Sequence, residues 1–172
     1  MSAEPIAPKI GKNMMIIAWI IVMALLTWVF GDWQEARVNP NSTPLTKTVA
    51  GIAQVTLLRN RKGHYVTSGT INDQTVQFLI DTGATTVAIP GELQQTLGLS
   101  LGEKHYALTA NGRTQAYSTL VERLSIGDIQ LVNVRASILP NMPGKQILLG
   151  MSVLQQIEFT QKGNQMTLRQ LP

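Results

Sequence analysis

Apolar and polar positions divide the chain into two regimes. Residues 14–30 read MMIIAWIIVMALLTWVF, 17 positions without a charge, at the short end of the length that crosses a bilayer as a helix. Beyond residue 50 the pattern changes to short runs rich in Val, Ile, Thr and Tyr, broken by turn dipeptides at roughly ten-residue intervals, the signature of an all-β domain. Strands are predicted over 52–58, 64–71 and 75–80, joined at Asn60-Arg61-Lys62-Gly63 and at Asn72-Asp73. Pro90 and Gly98 bracket a short helix whose Leu93 and Leu97 face the core, in line with Pro in the first turn and Gly past the last. Residues 105–110 and 113–117 flank Asn111-Gly112, the strongest short hairpin signal. Further strands are expected over 120–126 and 129–139 around a Gly127-Asp128 turn, then at 146–149. A short helix over 151–155 and a hairpin of 157–160 with 165–168 complete the pattern.

The apolar run is read as an uncleaved anchor. A cleaved signal peptide competes, but the run ends in Trp28-Val29-Phe30-Gly31-Asp32-Trp33, with no small-x-small cleavage site. Lys9 and Lys12 precede it, while Asp32 and Glu35 follow before Arg37. The positive-inside bias therefore places the N-terminus in the cytoplasm and the remainder outside it, as a single-pass protein of the inner (plasma) membrane with a periplasmic or otherwise extracytoplasmic domain. Trp28 and Trp33 fit an interfacial belt at the outer end. Residues 31–50 carry Pro40 and Pro44 among Asn, Ser and Thr and read as a flexible tether reaching roughly 25 Å. The expected organisation is a cytoplasmic tail (1–13), a transmembrane anchor (14–30), a tether (31–50) and one folded domain (51–172).

Composition narrows the function. The chain has no cysteine, so no disulfide staples the exported part and its core must suffice. Within 51–172, ten Lys and Arg stand against seven Asp and Glu, scattered singly apart from Arg59, Arg61 and Lys62. Nucleic-acid binding is not indicated; the small cluster reads as a solvated hairpin tip, with attraction to anionic lipid headgroups as the alternative. Two histidines and no cysteine offer no metal-ligand grouping, and no cofactor motif is present. The serines lack a nucleophile-elbow setting.

The remaining candidate is Asp81-Thr82-Gly83-Ala84, directly behind Phe78-Leu79-Ile80 and ahead of Val87-Ala88-Ile89. A strand that delivers a carboxylate into a tight Gly turn holds it at a fixed angle, at a desolvation cost that hydrogen bonds must offset. The bland reading is an Asp that starts an Asx-type turn. The tetrapeptide resembles the active-site motif of aspartic proteases. Ile147-Leu148-Leu149-Gly150-Met151 resembles the apolar-apolar-Gly segment that packs beside that loop, and its distance from Asp81 is family-like.

One Asp-Thr-Gly in a chain this short resembles the retropepsin-like branch, and most closely its bacterial membrane-anchored members, over about residues 51–170. The resemblance implies a mainly β, retropepsin-like closed barrel of acid-protease fold, with one or two short helices, preceded by the transmembrane helix. It implies an aspartic endopeptidase acting on peptide or protein substrates, in which a homodimer supplies one Asp81 per chain. Thr82 would brace the two loops, Gly83 would let substrate backbone approach, and Ala84 would line the groove. The hairpin bearing Thr109, Ala110, Asn111 and Gly112 would be the flap over the substrate, the alternative being an ordinary surface hairpin. Thr85 and Met151 stand where many viral members carry an acid and an Arg that pair, so that bracing ion pair is lost as a unit. The rival reading is a catalytically silent retropepsin-like module kept for exported binding or dimerisation. An unrelated membrane-tethered β-barrel interaction domain would leave the paired motifs unexplained.

Overall fold

The computed structural model describes residues 7–109 and 112–171, and the chain divides into two compact units that meet between Arg37 and Val38. The first is one helix, α1 (Ala7–Val38). Its stretch Gly11–Val38 is long and apolar enough to cross a membrane, with a mean hydropathy of 2.4 in its most apolar window and none of that window buried. Thr27, inside the apolar run, donates its hydroxyl to Met23 O and Ala24 O (both 2.9 Å), which satisfies a polar group that hydrocarbon would not.

The described residues of the second unit form eleven strands: β1 (Leu45–Val49), β2 (Ile52–Leu58), β3 (Val66–Ile71), β4 (Gln74–Ile80), β5 (Val87–Pro90), β6 (Lys104–Thr109), β7 (Gly112–Ile126), β8 (Ile129–Leu139), β9 (Gln146–Leu149), β10 (Ile157–Lys162) and β11 (Gln165–Gln170). A short helix, α2 (Met151–Leu154), follows β9. Four strands form a sheet in the order β1-β2-β11-β10. Seven form a second in the order β3-β4-β9-β5-β8-β7-β6, curled so that β3 also pairs with β7. Phe78, Leu57, Ile71, Ile89, Leu124, Ile138, Ile147, Leu149 and Leu168 meet in one core between these sheets.

Turn chemistry sets the register. Asn72 and Asp73 both take positive φ (47° and 65°), as a two-residue hairpin between right-twisted strands requires, and Ile71 pairs with Gln74 across them. Pro90 ends β5 and also caps a 3-10 turn, Gly91–Leu93; turns continue through Leu97 N–H to Leu93 O (3.0 Å) and Gly98 N–H to Gln95 O (3.1 Å), so the short helix expected here is present as a 3-10 turn and following turns and not as a regular α-helix. Leu97 is buried as expected. The segments expected as separate strands at 113–117 and 120–126 are one continuous 15-residue strand, β7, whose first part pairs with β6 and whose remainder pairs with β8.

Residues 31–50 carry regular structure where a coil was expected. Helix α1 runs through Val38, and Leu45–Val49 pairs antiparallel with β2. Between them Asn39 and Asn41 are buried (1% and 3% exposed). The Asn41 amide donates to Leu58 O (2.9 Å) and Val66 O (2.6 Å), while its Oδ1 accepts the Leu58 N–H (2.7 Å). One side chain thus takes the hydrogen bonds of a missing strand residue between β2 and β3. Polar composition suggested solvation; here the polar atoms serve the sheet instead.

Candidate active site

The loop that carries Asp81 is clamped from below. β4 and β9 run parallel, with Ile80 opposite Leu149, and the Asp81 N–H donates to Leu149 O (3.1 Å). The chain then turns: the Ala84 N–H donates to Asp81 O (3.2 Å), and the Gly83 N–H donates to Asp81 Oδ1 (2.9 Å). Asp81 is half-buried, while Thr82 and Gly83 are exposed and Ala84 is half-buried. The carboxylate is thereby oriented by its own loop through one oxygen, Oδ1.

Gly150 makes the clamp possible. A Cβ there would lie 2.4 Å from Thr86 O and 2.5 Å from Ala84 O, so only glycine admits this approach of two backbones. The next two residues use the space: the Met151 N–H donates to Ala84 O (2.8 Å) and the Ser152 N–H to Thr85 O (3.0 Å). The Ser152 hydroxyl adds a bridge, accepting the Val87 N–H (3.1 Å) and donating to Arg135 O (3.0 Å). Met151 packs partly buried against the core. Where an ion pair would brace the loop, this chain therefore uses backbone hydrogen bonds, one serine hydroxyl and an apolar side chain.

The hairpin of β6 and β7 rises beside this loop. Thr109 pairs with Gly112, and its hydroxyl donates to Gly112 O (2.8 Å); Ala110 and Asn111 lie outside the described residues. Arg113 stacks over the Tyr106 ring at 4.4 Å, stiffening the arms, and Leu108 is 89% exposed. At the base, Ala107 and Ala116 pack with Ala88, Leu139, Met142 and Leu148 in a small apolar cluster. Ala88 and Leu148 belong to the strands on either side of the clamp, so this cluster joins hairpin to loop.

A polar chain that the sequence did not disclose makes the same connection. His105 Nε2 on β6 lies 3.3 Å from Ser137 Oγ on β8, which lies 3.2 Å from Thr86 Oγ1 after the Asp81 loop. Ser137 is buried, and a buried hydroxyl needs such partners. Only register could have exposed it: Ser137 falls opposite Ser118 on β7 and Ala88 on β5, and that long-range pairing is not written in local pattern.

Comparison with known proteins agrees with this geometry. The family described as gag-polyprotein putative aspartyl protease matches residues 67–156. An uncharacterized Sinorhizobium protein encoded in the cobV 5' region is 31% identical over 166 residues, covering 89% of this chain and 71% of its own length. The Rickettsia prowazekii protein RP867 is 29% identical over 126 residues, 71% of this chain, which spans about half (53%) of that relative. Among solved structures, a retropepsin-like aspartic protease from Rickettsia conorii superposes with a TM-score of 0.60 at 27% identity, over 74% of this chain and 96% of that one. The chain belongs to the gag-polyprotein putative aspartyl protease family, with a retropepsin-like aspartic protease fold.

Proposed function

We propose that the chain is a membrane-tethered aspartic endopeptidase whose active site forms when two copies bring their Asp81 carboxylates together. The observation that carries this reading is the clamped Asp81, fixed by the Gly83 N–H and by the strand after Gln146, in a chain whose family is that of aspartic proteases. Asp32, Asp73 and Asp128 lack the apolar-strand setting, so a second acid of the same kind has to come from a second chain. An isologous two-fold contact through the Asp81 loops supplies it.

The chemistry then uses one shared proton. One Asp81 carboxylate takes a proton from a water, whose oxygen attacks the scissile carbonyl carbon; the protonated Asp81 of the partner donates to the carbonyl oxygen. The tetrahedral diol collapses as the amide nitrogen takes the proton now held by the first Asp81 while a diol hydroxyl gives its proton to the partner's carboxylate. The C–N bond breaks, an acid and an amine leave, and the pair again holds one proton. Thr82 braces the two loops, Gly83 and Ala84 border the substrate backbone, and the hairpin carrying Thr109, Ala110, Asn111 and Gly112 closes over it to exclude water. Leu108, exposed on that hairpin, is free to contact an occupant.

Helix α1 anchors the enzyme, with residues 1–13 cytoplasmic and the protease unit outside the cytoplasm, as the Lys9 and Lys12 bias requires. The test is cleavage of a mixed peptide library by the purified protein with and without pepstatin. Pepstatin-sensitive cleavage supports the reading. Absence of turnover in protein shown to be folded and dimeric leaves a binding module.

A further inference from the structure

Charge is unevenly distributed along the folded unit. Residues 73–172 carry seven Lys and Arg and seven Asp and Glu, whereas residues 36–72 contain Arg37, Lys47, Arg59, Arg61 and Lys62 and no acid at all. Three of these cations sit in the turn between β2 and β3. Asn60 organises that turn: its Oδ1 accepts the N–H groups of Lys62 and His64 (both 3.0 Å), and the Gly63 N–H donates to Asn60 O (3.0 Å). Arg59 folds back, Nε donating to Gly63 O (2.8 Å). Arg61 and Lys62 project exposed, with no ion pair among the described residues.

The same asparagine fixes where the turn sits. Its Nδ2 donates to Val38 O (3.0 Å), at the residue where the folded unit begins and α1 ends. Val38 lies only eight positions after Phe30, the last residue of the apolar run, or about 12 Å along a helix. Headgroups extend roughly 5–7 Å beyond the hydrocarbon, and surface charge is felt across a further ~8 Å at physiological salt. Chain connectivity alone thus keeps Val38 within about 12 Å of the apolar run, with Asn60 hydrogen-bonded to it.

We infer that the Arg61-Lys62 turn is a docking surface for the headgroups of anionic phospholipids in the membrane that α1 enters. This rests on the anchor reading above and adds to it a second, electrostatic contact. The acids Asp32 and Glu35 precede Val38 and oppose the attraction; Arg37 stacks on Trp33 (3.2 Å). The two exposed cations still leave the start of the folded unit basic. At about 1 kcal/mol per cation near an anionic surface, the pair favours the docked state roughly 30-fold.

The absence of cysteine allows a clean label. His64, exposed beside the turn, is changed to Cys in the full chain and given a nitroxide. The protein is placed in nanodiscs of phosphatidylcholine alone, or of phosphatidylcholine with phosphatidylglycerol, each with a nickel-chelating lipid. Relaxation enhancement of the nitroxide by headgroup nickel should rise several-fold in the anionic discs. It should return to the neutral-lipid level in high salt and in the R61Q/K62Q variant, which should remain in the disc. Equal enhancement in both lipids by a chain that stays inserted overturns the inference alone. A chain that a carbonate wash strips from the discs overturns the anchor reading and this inference with it.

Discussion

Replacing Gly150 by Ala should unseat the Asp81 loop. Gly150 has extended backbone (φ −92°, ψ −169°), which alanine adopts freely, so the whole effect is steric. The new methyl would lie 2.4 Å from Thr86 O and 2.5 Å from Ala84 O, with Ala84 C at 2.9 Å. All three are backbone atoms, and relief needs a shift approaching 1 Å, since ordinary carbon–oxygen contacts are about 3.3 Å. A shift of that size breaks or stretches the bonds from Met151 N to Ala84 O and from Ser152 N to Thr85 O, worth about 1 kcal/mol each. Overpacking adds about 1–3 kcal/mol. A loss of about 3 kcal/mol lowers Tm by roughly 10 °C for a domain of this size. Urea denaturation and calorimetry read the stability, and peptide cleavage at a temperature where the variant is still folded reads the site. Activity should fall at least tenfold in the folded variant, because a 1 Å misplacement is costly to catalysis. A variant within about 0.5 kcal/mol of wild type and fully active would refute the claim that the loop depends on this approach.

Other outcomes are expected of other parts. Asp81→Asn should abolish cleavage while leaving Tm within a few degrees, because Asn Oδ1 can still accept the Gly83 N–H but cannot exchange a proton; residual activity within tenfold of wild type would sink the assignment. Asn41→Ala should cost about 3 kcal/mol or more in urea denaturation, because Leu58 N–H, Leu58 O and Val66 O all lose their partner; an unchanged midpoint would mean the clamp is dispensable.

Much of this was legible from local pattern. The bounds of the first expected strand, 52–58, coincide with β2, the Asn72-Asp73 turn has the positive φ its residues favour, and the apolar run before Asp81 is β4. What escaped was set by contacts distant in sequence. Residues 39–49 look like linker because Asn, Ser, Thr and Pro favour solvent, yet Asn41 hydrogen-bonds strands 17 and 25 residues away. Pro90 and Gly91 look like the start of a helix, and Pro90 does cap a 3-10 turn, but the following residues form turns in place of a regular helix. The break expected near residue 118 is absent because β7 changes partners from β6 to β8 without a bend in sequence character. Ser137 and His105 were unremarkable singly and matter only through the register that joins them.

The central claim is that one catalytic carboxylate comes from each of two chains, and mixing tests it directly. Purified Asp81→Asn chain is titrated into a fixed amount of wild type under conditions that exchange subunits, with heterodimers counted by native mass spectrometry and peptide cleavage followed in parallel. If a heterodimer with one carboxylate is inert, a threefold excess of mutant should cut wild-type activity to about one quarter, the share of wild-type chains still paired with their own kind under random isologous pairing. Activity that stays unchanged while mixed dimers are demonstrably present would contradict the two-carboxylate site.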